Sequence, residues 1–468
     1  MKTVLIVKPQ FEDKAREAFQ GTGITITTDG ERHMGAVIGS AAARDEYVSK
    51  KVSKWVQDIN ELTNIAKDEP QAALSSYTKA ISHRWTYVQR TIPNISQLFG
   101  PLEEAIRENF IPALIGRKIS DIERRILALP VRLGGIGIPN PTITADREYE
   151  MSATICKNLA DAIILQVNDF DNFDHNVTIE TTKEMKTLKE AGLREELDDI
   201  LTHCNDTMKR NIQLAQEKGA GSWLTALPIK ALGYTLNKQE FKDSIYLRYG
   251  WNIPNTPTFC HCKKKNDVNH ALICQHGGYV IHRHNRVRDL EAEIMREVCV
   301  DVKIEPELLP LHNMELNGNK AEKARLDVSG IGVWAPQERT FIDVRIFHPN
   351  APSYLNKDVP KLYATHEKEK KRAYNERIIN VEKGSFTPIV MTTSGGMGNE
   401  ANLFHKRMAM LISEKRNEEY SHVLNYIRTR LRFALLKSTL TALRGVRGKR
   451  VREETAPMSS ISYNLIQD

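Results

Sequence analysis

Arg325-Leu-Asp-Val-Ser-Gly-Ile-Gly-Val-Trp334 and Thr340-Phe-Ile-Asp-Val-Arg-Ile-Phe347 are the stretches whose reading decides the fold. Both alternate at the two-residue period of a strand, so Leu326 and Val328 are expected on one face and Asp327 on the other. In the second run Asp343 and Arg345 share a face opposite Ile342, Val344 and Ile346. A turn over Ala335-Pro-Gln-Glu338 would pair the two strands and bring Asp327 and Asp343 together. Two carboxylates so placed are what a divalent cation takes from a nuclease site. The plain alternative is a half-exposed hairpin whose aspartates are solvated.

The flanking sequence extends this pair. Glu367–Ile378 reads as a helix, and its three-residue spacing sets Lys368, Lys371 and Tyr374 along one side, where a cation could orient or polarise an attacking water. Phe386–Met391 reads as a further strand, and Val287–Val298 as a helix ahead of the pair. This order resembles the PD-(D/E)xK restriction-like nuclease core. The resemblance implies Asp327 and Asp343 as ligands of Mg²⁺ or Mn²⁺, with a lysine of the 368–371 run and Tyr374 completing the site. Arg345 stands where that motif carries lysine, and Leu326 where it carries proline. A guanidinium does not exchange protons as an ammonium can, so the lysine has to come from the following helix.

With 468 residues the chain has room for two to four domains. Its net charge of +7 suits a polyanionic partner without requiring one. No apolar run is long enough to span a bilayer, and Met1–Lys8 is too short for a signal peptide, so an intracellular protein is expected. Three of the six cysteines crowd into Cys260–Cys274, a pattern of metal ligation in a reducing compartment rather than of a disulfide framework.

Cys260, Cys262, His270 and Cys274 make a Cys-Cys-His-Cys set with ligands enough for one tetrahedral, structural Zn²⁺. The single residue between Cys260 and Cys262 demands a particular tight turn, and His261, His276, His282 and His284 are nearby substitutes. Lys263, Lys264 and Lys265 lie inside the loop, where they are either solvated or in contact with phosphate. The basic segment Ile281–Arg286 adds Arg283 and Arg286.

Toward the N-terminus, Thr3–Val7 reads as a strand, Phe11–Phe19 as a helix, and Ile24–Thr28 with Met34–Ile38 as a hairpin around Asp29-Gly30. So small a fragment leaves a sheet edge unpaired, which suggests missing upstream strands. From Arg44 to about Ile126 the helical period dominates. Here Ser82-His-Arg-Trp-Thr-Tyr-Val-Gln-Arg-Thr-Ile-Pro93, Pro101–Arg107, Phe110–Leu114 and Leu129-Pro-Val-Arg-Leu-Gly-Gly-Ile-Gly-Ile138 resemble the thumb of reverse transcriptases from non-LTR retroelements. Leu5–Lys8 and His33–Gly39 resemble the last palm strands, and Ser222–Pro228 with Phe241–Trp251 resemble the linker between thumb and nuclease. The residues around Arg84 and Trp85 are then either primer–template contacts or a packed helix core. The family's adjacent polymerase aspartates have no counterpart, since Asp198-Asp199 falls in a helical stretch after the thumb.

The expected class is mixed α and α/β. It comprises a palm end (1–43), a helical thumb (44–150), a helical linker with an acidic loop at Asp169–Asp174 (151–253), a zinc segment (254–286), the nuclease core (287–400), and a helical C-terminus with a basic tail over Arg444–Arg452 (401–468). The resemblance implies a target-DNA-nicking endonuclease, nuclear, without polymerase activity, acting on DNA and with template RNA as a further partner, with Arg84, Arg283, Arg286, Arg345 and the lysine run contacting nucleic acid. The competing reading is a catalytically silent nucleic-acid-binding remnant.

Overall fold

A computed structural model describes residues 3–166, 172–311, 317–445 and 447. Asp169 and Asp171 of the acidic loop and residues 448–452 of the basic tail lie outside the described residues. The chain is a mixed α/β protein dominated by helices, and no described helix is long and apolar enough to cross a membrane.

The C-terminal half is built on a four-stranded sheet in the order β5-β6-β7-β8: Val300–Ile304, Val328–Ile331, Arg339–Phe347 and Ser385–Thr392. β6 and β7 form the expected antiparallel pair, with Val328 opposite Ile342 and Ile331 opposite Arg339. Their turn closes where Glu338 N donates to Ala335 O at 3.2 Å. β7 and β8 run parallel from Thr340 and Ser385 to Phe347 and Thr392, so a crossover is required, and the helix Val359–Arg377 supplies it. Edge strand β5 was not foreseen. It is short, mostly exposed and broken by a register shift between Val300 and Lys303, which erases the apolar signal a paired strand usually carries.

Both faces of this sheet are covered. Val328, Ile342, Val344, Ile389 and Met391 pack under the helices Tyr279–Arg296, Asn399–Arg416 and Tyr420–Arg444. On the other face Phe341 and Phe386 pack with Leu326 and Ile378, and Phe347 and Val390 pack with Leu362 and Tyr363 of the crossover helix. Leu326 and Val328 therefore enter different cores, contrary to the simple alternation, because the chain bends at Asp327 and β6 begins only at Val328.

The helical part has one core that runs across the boundary expected at 150. It joins the 26-residue helix Ala41–Ala66 and its neighbours to Leu197, Ile200, Trp223, Phe241 and Tyr249 from the presumed linker. The C-terminal helix Tyr420–Arg444 belongs to both cores: Val423, Ile427 and Leu431 sit under the sheet, while Phe433, Leu436 and Leu440 sit in the helical core. Between the two cores Arg210 holds Asn350 Oδ1, Pro349 O and Tyr354 O at 3.0–3.1 Å, and Asn350 in turn donates to Asn211.

At the N-terminus β1 (Val4–Ile6) pairs in parallel with β2 (Thr25–Thr27), and the hairpin is β3 (Gly30–His33) with β4 (Ala36–Gly39). The expected pairing of Ile24–Thr28 with Met34–Ile38 is thus wrong. The turn lies at Met34 and Gly35, which both take positive φ (46° and 88°), the signature of a two-residue hairpin loop. Gly30 is needed next to β4, since a Cβ there would lie 2.6 Å from Ile38 O.

Candidate metal and carboxylate sites

Phe259 and Lys265 form an antiparallel bridge, and within it Lys263 N donates to Cys260 O at 2.8 Å while Cys260 N donates to Lys264 O at 2.9 Å. This tight turn, with Lys263 at φ 68°, is what a one-residue Cys-x-Cys spacing demands. The other two ligands come from one turn of the short helix Val268–Ile273 and its end: Asp267 caps it by accepting from His270 N at 2.7 Å, and Cys274 N donates to His270 O. The four ligand atoms lie within 4.8 Å of one another. Cys260 Sγ and Cys274 Sγ are 3.8 Å apart, matching the edge of about 3.8 Å that two 2.3 Å zinc–sulfur bonds make at the tetrahedral angle. Cys262 Sγ is 3.2 Å from His270 Nε2. A hydrogen bond from the Lys264 backbone draws the Cys262 thiol down, and burial holds His270 below its ordinary value. The set could hold one zinc ion. His261, His276, His282 and His284 lie outside the cluster.

Arg283 and Arg447 meet this segment from inside the protein. Arg283 Nη2 donates to Leu272 O at 3.1 Å and Arg447 Nη2 to Ala271 O at 2.9 Å, so both guanidinium groups satisfy end carbonyls of the zinc-segment helix. Arg283 is 2% exposed, and burial pushes it down to about 10. Its expected contact with nucleic acid is corrected: a buried helix-capping arginine is not a phosphate contact. Lys263, Lys264 and Lys265 are exposed, Arg286 is half-buried, and Arg84 is an exposed partner of Asp58 at 2.5 Å. Trp85 is buried against Trp55 and Tyr77, which is the packed-core reading of that stretch.

At the carboxylate pair the solvated-hairpin alternative fails, because Asp343 is 7% exposed. The β6–β7 ladder ends at Val328 and Ile342, so beyond it β7 is paired only on its β8 side, and Asp327 takes up the open Val344 N on the other. Its Oδ2 accepts from Val344 N at 2.5 Å and stands 3.2 Å from His284 Nε2, which is also 3.1 Å from Val344 O. Hydrogen bonding to Asp327 holds His284 above its ordinary value. Asp343 pairs with Lys370 Nζ at 2.5 Å, and Lys370 lies 5.8 Å from the Tyr374 ring. Burial pushes the Asp343 carboxyl up, the Lys370 charge opposes this, and the nearby Asp327 adds to it.

The lysine at the site is therefore Lys370. Lys368 is exposed, and Lys371 pairs with Glu400 at 2.7 Å beside the start of the helix Asn399–Arg416. Glu367, on the same helix, accepts from Glu400 N at 3.0 Å. Tyr363, His366, Lys370, Tyr374 and Arg377 share the face turned to the sheet, at three- and four-residue steps from the buried Leu362 and Tyr363. A helical phase anchored on those apolar residues would have selected Lys370, whereas a chain of three-residue steps drifted off the face. By spacing His284 is only a spare zinc ligand, and nothing in the sequence around it signals that it reaches Asp327. Arg345 is exposed on the Asp343 side of β7.

No protein-family model matches this sequence, and no curated protein sequence matches it.

Proposed function

We propose that the chain is a metal-dependent DNA endonuclease, with the PD-(D/E)xK-like core over 287–400 carrying the chemistry and the zinc segment holding its approach surface in shape. The single observation that supports this most is Asp343, buried beside Asp327 and in contact with Lys370 of the crossover helix. The helix–three strands–helix–strand order around it accords with that core. Asp327 and Asp343 would hold Mg²⁺ or Mn²⁺, which supplies charge stabilisation at phosphate and a more acidic water. In this reading Asp327 is oriented by Val344 N and His284, and Lys370 compensates Asp343 until a cation does so. Lys370 then orients water at the attacked phosphate.

The thumb-like, linker-like, zinc and nuclease segments occur in the order of a non-LTR retroelement protein, so the substrate inferred is target DNA in the nucleus, with template RNA as a second ligand. Polymerase activity is not expected from a chain without the paired palm aspartates. A specific observation favours the silent-remnant reading: Asp343 is already neutralised by a lysine, and arginine occupies the motif position at 345.

The test is relaxation of supercoiled plasmid by the full chain with Mg²⁺ or Mn²⁺. Asp327→Asn and Asp343→Asn should each abolish nicking while folding and DNA binding persist, Lys370→Ala should abolish nicking at a cost in the stability of β7, and Lys371→Ala should retain most activity. Wild-type nicking by Asp343→Asn would displace the nuclease site, and absence of nicking by the unaltered chain would leave the binding remnant.

A further inference from the structure

Where the helical core, the zinc segment and the sheet domain meet, they enclose a cavity of about 690 Å³. Its walls come from the helices Asp206–Gln216 and Lys238–Tyr249, the zinc segment, the loop after β7 and the C-terminal helix. The volume falls in the range of small-molecule sites, roughly 300–1,000 Å³. It lies outside both the carboxylate pair and the zinc ligands, and neither uses it.

Two arginines line it. Arg432 is 8% exposed, and its Nε and Nη1 have no acceptor among the described residues. Arg248 gives Nη2 to Val131 O and Gly135 O, while its Nε also lacks an acceptor. Buried guanidinium groups are ordinarily paired with carboxylates, and among the described residues no carboxylate lies within ion-pair distance of either. Glu217 is the acid near Arg432, but its oxygens accept from Tyr363 and Thr392, and burial pushes it up to about 7. Burial and the neighbouring Arg248 push Arg432 down to about 9, the mark of a cation short of counter-charge. Gly395, at φ 99°, lies flat against this group, since a Cβ there would sit 2.7 Å from Arg432 Cδ.

The remaining walls are mixed. Asn211 and Asn269 offer amide groups, and Leu214, Leu272 and Leu436 offer apolar surface. His348 is fixed by Thr393 at 2.8 Å and Asn269 at 2.9 Å, so this polar wall is built rather than loose. A cationic end, an apolar middle and fixed amides together suit an anion that carries an organic body. A duplex, whose major groove alone is about 12 Å wide, is too large to enter.

We propose that this cavity binds a small phosphomonoester of nucleotide size, its phosphate held by Arg432 and Arg248 and its organic body by the asparagines and leucines opposite.

The experiment is calorimetric titration of the full chain with each of the four ribonucleoside 5′-monophosphates, the matching nucleosides and inorganic phosphate, with thermal unfolding in parallel. At least one monophosphate should bind with a stoichiometry of one and raise Tm; its nucleoside should bind at least about tenfold more weakly because the buried cations are left unpaired, and inorganic phosphate at least about tenfold more weakly because it makes none of the contacts to the organic body. Arg432→Met should weaken binding on the order of 30-fold, the loss typical of a truncated buried charge contact. Without ligand it should unfold at the same or a higher temperature, because an unpaired charge has been replaced by an apolar isostere. If that variant does not fold, Asn252→Trp narrows the cavity from an exposed position and should also abolish binding. The proposal is overturned if no monophosphate binds, if inorganic phosphate binds as tightly, if Arg432→Met keeps full affinity, or if a short single-stranded oligonucleotide outcompetes every monophosphate.

Discussion

Replacing Lys370 by methionine removes the only ion-pair partner that Asp343 has among the described residues and leaves a carboxylate 7% exposed. Breaking a buried pair from one side costs about 3–5 kcal/mol. The upper end is limited by proton uptake, because a carboxylate that becomes too expensive to keep charged protonates instead. From the ordinary carboxyl value of 3.8 to pH 7 is a little over three pH units at about 1.36 kcal/mol each, so the cost at pH 7 cannot exceed about 4.4 kcal/mol. At pH 5 the same ceiling falls to about 1.6 kcal/mol. The sign follows from Asp343 already lying above its ordinary value when folded. Between 3.8 and the folded value the native state holds the extra proton, so stability drops as pH rises through that window, and losing Lys370 widens it. Because the helical part and the sheet domain have separate cores, the measurement is peptide-level hydrogen exchange of β7 at pH 5 and pH 7, corrected for intrinsic rates. Lys370→Met should lower the opening free energy of Arg339–Phe347 by up to about 4 kcal/mol at pH 7 and by under about 1.6 kcal/mol at pH 5. Adding Asp343→Asn should recover most of the loss at pH 7. Equal losses at the two pH values, or no recovery in the double variant, would refute the argument.

Metal analysis of reduced protein should find one zinc per chain, and a chelator should release it and raise exchange in Val268–Ile273; absence of stoichiometric zinc would remove the metal from the zinc segment. Nucleic-acid affinity should fall steeply between low and physiological salt, since the exposed groups are lysines and arginines such as Lys263–Lys265 and Arg345; salt-independent binding would contradict this. His405→Leu should destabilise the sheet domain by about 3–5 kcal/mol, because it strands Glu291, fully buried and 2.9 Å from His405 Nε2; His405→Leu with Glu291→Leu should restore most of it, as thermal unfolding can show.

The alternating stretches gave away β6, β7 and the nearness of Asp327 to Asp343, because a strand buried on both sides keeps its two-residue period wherever the backbone stays extended. The same reading misplaced Leu326, since one bend at Asp327 changes which face a neighbour reaches. Asp343 looked like a surface residue because alternation shows which face a side chain takes and not whether a helix covers that face. The closeness of Cys260, Cys262, His270 and Cys274, a set that could hold a zinc ion, was legible from spacing, as they lie in one turn and in one short helix with its end. Arg283 was misread since the carbonyls that need it belong to a chain fold eleven residues earlier. The expected boundaries missed that residues 197–249 share a core with the thumb-like helices, because apolar periodicity marks a buried face without naming its partner.

Because Tyr420–Arg444 contributes its first half to one core and its second half to the other, it works as a common beam. A cut at residue 400 removes the whole helix and strips both cores of a wall, so fragments made there would expose apolar surface and aggregate rather than report on isolated activities. The beam also limits play: the zinc segment, whose Ala271 carbonyl is held by Arg447 just beyond its end, and the carboxylate pair are carried on one support. Any reorientation of one relative to the other must bend a seven-turn helix, so a substrate reaching both is met by a fixed span, and its own flexibility has to make up any misfit.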